Sequence, residues 1–332
     1  MSKEDLDKKV GAVIDRLLAD MEKELPPWRQ PWVTTGGGLP VSGVSQRPYR
    51  GFNTFVLWAA ALTFGWKDNR FFTFAQVRKL KGAVKKGEKG TEVFLWRPAW
   101  CLPAPVKGKR WVYAENELPK PTPSGTRKTL LLRTFYVWNA DQCEGLPALN
   151  LPVVEEATAS AEAEGLLTAL GKVVPVRMSG ITARACYSAV HDVVETPERK
   201  LYKSHGDYYS TMFHEMAHAS GHKSRLARDL TGTFGSPQYA VEELVAESAA
   251  ALVMATLNQP YDTQHAAYMK DWAKRLRDLP DAERQRTVMG AFQRGQKAAD
   301  WVLSGGRMSC SVPDSAPNSA ETSTESDEPV AA

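Results

Sequence analysis

The chain has 332 residues, is 43% hydrophobic and 24% charged, and carries a net charge of +4, which is ordinary globular usage with room for two domains. Four cysteines, Cys101, Cys143, Cys186 and Cys310, lie far apart with no CxxC pair, so neither a disulfide framework nor a cysteine zinc site is indicated. The charged, amphipathic start lacks a signal peptide's apolar core, and no run approaches the roughly 18 apolar residues of a membrane span; a soluble protein of a reducing cytoplasm is expected.

Val10, Val13, Leu17, Leu18 and Met21 recur at helical spacing and predict a helix over residues 4–25. "LPPWRQPW" ends it, and a Gly/Pro/Ser-rich loop runs to about Arg47. "GFNTFVLWAAALTFGW" predicts a largely buried helix closed by Gly65, and "TFAQVRKLKG" a short one with Thr73 as N-cap. After the glycine-punctuated "GAVKKGEKG", the β-branched and aromatic stretches "TEVFLWRP" and "LLRTFYVWNADQ" predict strands. Between them Trp100 to Lys128 is dense in Pro, Lys and Arg and is expected to be a long excursion. The reading is an α+β N-terminal domain at 1–145, a linker at 146–155, a mostly helical domain with a small sheet at 156–305, and a disordered Ser/Pro/acidic tail at 306–332. In the second domain "ATASAEAEGLLTALG", residues 207–220, "PQYAVEELVAESAAALVMATLN" and two stretches across 263–304 predict helices. "VVPVRMS" and "AVHDVVETP" predict strands, the latter a candidate edge strand for an extended peptide or a plain core strand.

Charge is unevenly divided. Residues 1–145 carry 24 Lys and Arg against 14 Asp and Glu, whereas residues 146–332 carry 18 against 24. Eight of the ten tryptophans lie in the basic part. Cations for phosphates interleaved with flat rings for stacking suit single-stranded nucleic acid, whose bases are free. Tyr49, Arg50, Asn53, Lys85, Lys86 and Lys89, beside glycines or in loops, are the candidate strand contacts. Phe55, Trp58, Phe74 and Phe94 are expected to pack in the core.

The chemistry-bearing stretch is "TMFHEMAHASGHKSRL", residues 211–226. His214 and His218 are four apart, which stacks both imidazoles on one helical face where they can hold one ion. Glu215 stands beside the first ligand, where its carboxylate can take a proton from a water polarised by that ion. This is the HExxH pattern of zinc hydrolases. A third histidine in the metzincin arrangement would fall at 224, which is Ser224. His222, one turn on, fits a tetrahedron poorly. "EELVAE" offers a better donor, Glu243, and the acid one turn later, Glu247, is expected to orient a ligand histidine through its second nitrogen, the gluzincin pattern. Glu242, about 100° around the helix, is a competing ligand and is expected to be a solvated neighbour. Tyr239, His222, Tyr208 and Tyr209 are the candidate oxyanion donors, and Arg225 is expected to pair with an acid.

In this order, "PPWRQPW", "YRGFNTFVLW", "FFTFAQVRKLKGAVKKGEKGTEVFLW", "YVWNADQCEGLP", "HEMAHASGHKSRL" and "YAVEELVAE" resemble the ArdC-type antirestriction proteins of conjugative plasmids. The likeness covers about residues 1–305 and is shared with the N-terminal part of TraC plasmid primases. It implies an N-terminal single-stranded-DNA-binding domain whose signature is matched by Tyr49, Arg50, Gly51 and Asn53. It also implies a zincin-like metallopeptidase domain whose signature is matched by His214, Glu215, His218 and Glu243, with Zn²⁺ or another divalent ion such as Mn²⁺ or Co²⁺. The implied role is to shield incoming plasmid DNA from host restriction during transfer, possible action in the recipient cell included. Two alternatives stand beside it: a DNA-recruited protease cutting a host restriction-related protein, and an accessory of plasmid priming. The last ranks lowest, because the basic half has no Walker motif and no second acidic metal cluster.

Overall fold

The computed structural model describes residues 3–23, 38–106, 108–148, 160–179, 184–261 and 266–307. "PWRQPW", residues 149–155 of the expected linker and the acidic tail beyond residue 307 lie outside the described residues. Helix α1 (Lys3–Glu22) buries Val10, Ile14, Leu17, Leu18 and Met21 along one stripe. After a two-residue strand β1 (Val41–Ser42), helix α2 (Phe52–Phe64) begins at Gly51 and ends at Gly65. Gly51 holds φ 55° and ψ −136°, a backbone that a side chain would strain, and Gly65 makes the left-handed turn expected of a helix stop.

Strand β2 (Arg70–Phe72) leads into α3 (Phe74–Lys79), whose start is fixed by a reciprocal cap between Thr73 and Gln76. Short β3 (Ala83–Val84) and β7 (Cys143–Glu144) pair with each other. The long strands β4 (Thr91–Val106) and β6 (Arg127–Asn139) pair antiparallel from Thr91↔Val137 to Cys101↔Arg127, and β5 (Lys109–Val112) folds back on β4. With β1 and β2 they form a five-stranded sheet in the order β1-β2-β6-β4-β5. The expected excursion from Trp100 to Lys128 is therefore strand at residues 100–106 and Lys109–Val112 and irregular chain from Tyr113 to Thr126. Pro98 does not break β4, because β5 pairs only with residues 100–106 and the side of β4 away from β6 has no strand partner at Pro98. Pro98 has the same parity as Phe94, whose N–H points away from β6, so the group Pro98 lacks would have faced the unpaired side.

In the second part, α4 (Ala161–Gly171) is capped by Ser160, and α5 (His205–Ser220) by Ser204. Ser236 caps α6 (Pro237–Thr256), which has proline in its first turn; α7 (Ala266–Arg277) and α8 (Asp281–Leu303) complete the helices. A three-stranded sheet has the order β8 (Val176–Ser179), β10 (Val193–Pro197), β9 (Cys186–Ser188). The stretch expected as a possible edge strand is thus the central one, parallel to β8 and antiparallel to β9. Val193 and Val194 are buried on it, as a strand flanked on both sides requires.

One apolar cluster runs through both parts. It joins Ile14, Leu17 and Leu18 of α1, Phe52 and Phe55 of α2, and Phe94 of β4 to the helices α5, α6 and α8. Phe292 of α8 packs on Phe55 with ring centroids 4.3 Å apart and on Phe52 at 5.8 Å. Gly295 lets α8 lie against α6: a Cβ there would fall 1.9 Å from Ser248 Oγ. The segment 49–53 fastens the two parts together. Arg50 pairs with Asp300, Gly51 N–H donates to Gln296 Oε1 at 3.0 Å, and Asn53 clamps the open edge of β4. Asn53 Nδ2 donates to Phe94 C=O at 2.6 Å and Asn53 Oδ1 accepts from Phe94 N–H at 2.8 Å, so one side chain supplies what a neighbouring strand would. Asn53→Ala leaves two strand-edge groups without these partners and is expected to lower unfolding free energy by about 2 kcal/mol, read from urea melts.

Candidate metal centre

Helices α5 and α6 cross so that three ligand-type side chains meet in the interior. His214 and His218 project from one face of α5, and Glu243 faces them from the second turn of α6. The two Nε2 atoms are 3.1 Å apart, and Glu243 Oε2 and Oε1 lie 3.5 Å from His214 Nε2 and 3.7 Å from His218 Nε2. Ligands held 2.0–2.1 Å from a tetrahedral ion sit about 3.3 Å from one another, so this donor set fits a divalent ion without rearrangement. Among the described residues it is the group of histidine, cysteine and carboxylate side chains that converges in this way. His222 does not belong to it: α5 ends at Ser220, and the chain turns away before His222, whose Nδ1 lies 2.7 Å from Ser224 Oγ.

Electrostatics hold the set together. Burial alone would raise Glu243, but hydrogen bonds and charge from His214 and His218 keep its carboxyl far below the usual range. Burial would lower His218, yet Glu242 and Glu243 outweigh it and hold the imidazole well above its ordinary value. Glu242 is not the solvated neighbour expected. Its Oε1 lies 3.1 Å from His218 Nδ1, and Arg228 donates to it from Nη2 at 2.7 Å and from Nε to Oε2 at 3.0 Å. Arg228 is itself fixed by Ala217 C=O and Ser220 Oγ, both at 2.7 Å. Glu242 thus performs toward His218 the orienting task expected of Glu247. Glu247 is fully buried and accepts from the Tyr261 hydroxyl. No periodicity reveals Arg228, because it sits in irregular chain ten residues beyond His218 and reaches Glu242 only through the fold.

Glu215 is buried beside His214, on the side of α5 that meets β9 and β10. Its charge is felt by Cys186 of β9 and by Tyr202, whose pKa values are raised first by burial. Tyr202 hydroxyl sits 2.6 Å from Thr196 Oγ1 and was not singled out by sequence, where an isolated tyrosine carries no signal. Of the expected oxyanion donors, Tyr239 is half-buried one turn before Glu243 and packs on Phe234 at 5.2 Å. Tyr209 is spent elsewhere, its hydroxyl donating to Glu164 at 2.5 Å, and Tyr208 lies under Arg199 at 4.6 Å. Arg225 does pair with an acid, donating from Nη1 to Asp192 Oδ2 at 3.0 Å.

The expected nucleic-acid residues divide. Lys85, Lys86 and Lys89 are exposed on the loop around β3. Arg50 is tied to Asp300 and both amide atoms of Asn53 are used by Phe94. Tyr49 is only 7% exposed and packs edge-on against Phe71. Tyr49 and Asn53 are therefore corrected from strand contacts to framework residues: burial and the demand of β4's open edge claim them.

Comparison with known proteins agrees with this architecture. The family model of the N-terminal domain of anti-restriction factor ArdC matches residues 8–138, and that of a zincin-like metallopeptidase matches residues 161–285. The metal-free crystal structure of the antirestriction protein ArdC from plasmid R388 is 30% identical, covers 90% of this chain and 97% of its own, and superposes with a TM-score of 0.71. The chain belongs to the ArdC antirestriction family. The Mn(II)-bound structure of that ArdC protein superposes at 0.68. An uncharacterized protein, y4eC, of Sinorhizobium fredii is 32% identical over 294 residues, 87% of this chain and 90% of the relative. A DNA primase TraC of Escherichia coli is 33% identical over 86% of this chain but only 27% of its own length. His214, His218 and Glu243 could hold a divalent ion, and they lie in the part of the chain matched by the zincin-like metallopeptidase model. No helix among the described residues is long and apolar enough to cross a membrane.

His214→Ala is expected to take bound metal from about one ion per chain to none, measured by elemental analysis after dialysis. Glu242→Ala removes no ligand and is expected to weaken metal binding about 10- to 100-fold in competition with a chelating dye.

Proposed function

We propose that this protein binds single-stranded DNA through a basic domain at 1–145, joined by a linker at 146–155 to a metallopeptidase-type domain at 156–305, and protects incoming plasmid DNA from host restriction during conjugation. It acts in the bacterial cytoplasm, in the recipient cell. The convergence of His214, His218 and Glu243 next to Glu215, in a chain whose basic half is matched by the ArdC N-terminal domain, carries this reading. The antirestriction name of the R388 relative and kinship with DNA primases support DNA as the partner.

When bound, the ion, Zn²⁺, Mn²⁺ or Co²⁺, supplies Lewis-acid polarisation. Glu215 is the base in this reading, taking a proton from the attacking water and returning it to the leaving amine. Glu242 and Arg228 fix His218, and Glu247 supports the ligand set from one turn beyond Glu243. Tyr239, one turn before Glu243, is the donor to the developing oxyanion, and His222, turned toward Ser224, is not. Among the described residues β9 pairs only with β10, which leaves its outer edge open to an extended peptide beside α5.

That open edge also favours a second reading, cleavage of a host restriction-related protein held near the DNA. Glu215→Gln separates the two. The expected result is unchanged metal content, any peptidase activity reduced about 10²- to 10⁴-fold, and transfer protection retained. Lost protection with intact DNA binding favours the protease reading. For the wild-type chain, affinity for single-stranded oligonucleotides is expected to fall steeply with salt and to exceed that for duplex; equal binding to both in fluorescence anisotropy defeats the single-strand assignment.

A further inference from the structure

The long β4–β6 hairpin presents a face that neither the loop lysines nor the family signature includes. Directly opposed residues of an antiparallel ladder share a face. The pairs Arg97↔Leu131, Leu95↔Arg133, Val93↔Phe135, Cys101↔Arg127 and Cys101↔Trp111 therefore put Arg97, Arg127, Arg133, Trp111 and Phe135 on one side. Tyr113 joins them, because the Arg133 guanidinium lies 4.5 Å over its ring. The rings of Trp111, Tyr113 and Phe135 stay 36%, 41% and 38% exposed. Val93 and Val137 close one end of this face against a core cluster. The opposite face sends Phe94 into the main core, packs Trp100, Leu102 and Val112 with Leu118, and exposes Trp96, Leu130 and Tyr136, but it carries Glu92, and the Tyr136 hydroxyl is taken by Lys9.

No aspartate or glutamate occupies the open face on β4, β5 or β6. None of the three arginines forms an ion pair among the described residues. Exposed rings set among unpaired guanidiniums supply stacking platforms and phosphate contacts together, whereas a duplex keeps its base faces covered. A second copy is disfavoured, since a two-fold pairing of this face would bring arginines against arginines.

We infer that this sheet face is the seat of the nucleic acid: unpaired bases stack on Trp111, Tyr113 and Phe135, and Arg97, Arg127 and Arg133 hold the phosphates. The assignment rests on the single-stranded-DNA reading above and names its site. It moves the principal contacts from the Lys85–Lys89 loop to the hairpin.

The test is anisotropy with a fluorescein-labelled single-stranded oligonucleotide of about 12 nucleotides, using the full-length protein over a range of salt. Trp111→Ala and Phe135→Ala are each expected to weaken binding about tenfold. Arg97→Ala with Arg127→Ala and Arg133→Ala is expected to reduce the slope of log affinity against log salt by about 2. Trp111→Phe keeps a stacking ring and is expected to bind within about threefold of wild type, which distinguishes stacking from general damage. Metal content and thermal midpoint are measured on every variant, and unchanged values show that the fold persists. If wild type binds but the hairpin variants bind equally well, the face assignment is wrong and the DNA reading stands. If wild type fails to bind the oligonucleotide at low salt, the DNA reading itself falls and takes this assignment with it. A dimer that dissociates on Trp111→Ala, seen by light scattering, would overturn the assignment in favour of self-association.

Discussion

Two adjacent glutamates taken out of water set the terms for the zincin-like half. Glu242 and Glu243 leave α6 about 100° apart, and each would be costly to bury alone. Glu243 is compensated by the Nε2 side of both histidines, and Glu242 by the Nδ1 side of His218 and by Arg228. His218 thus stands between two carboxylates with both ring nitrogens engaged, which fixes its orientation. The crossing of α5 and α6 has to be exact enough to satisfy this set, and small residues permit it: Ala217, Ala246, Ala249 and Ala250 are buried there.

The same rigidity extends to the basic half. Arg50, Gly51 and Asn53 lie at the junction where α2 meets α8 and β4, and each makes a bond that ties separate stretches of chain together. A short signature that looks like a ligand-contacting motif is thereby explained by framework demands. Gly51 supplies a backbone angle, Asn53 completes a strand edge, and Tyr49 fills a cluster with Leu57, Phe71 and Val137. With one apolar cluster running from α1 through α2 to α8, the hairpin and the metal centre are held on a common base.

Helices were legible where apolar periodicity and caps coincide. Thr73 and Gly65 mark termini that the structure reproduces. Pro119, Pro121 and Pro123 lie in the expected loop, whereas Pro103 and Pro105 lie within β4, since pairing is a long-range property that the proline content of a stretch does not fix. The position of "HDVVETP" stayed open between edge and core for the same reason: whether a strand lies at the centre or the edge is decided by its neighbours, not by its own residues.

The sequence by itself determined the metal-ligand face, because His214, Glu215 and His218 lie within one and a half helical turns, where local geometry dictates who stands beside whom. It also determined the helix carrying Glu243 and the division of charge between the halves. Only the tertiary structure decided that Glu242 and Arg228 support His218, that Tyr49 and Asn53 belong to the framework, and that Trp111, Tyr113 and Phe135 share an open face with three arginines. Those relations join residues far apart in the chain through helix crossing, strand register and burial. No short-range pattern encodes them, because the energy that selects them comes from packing the whole core.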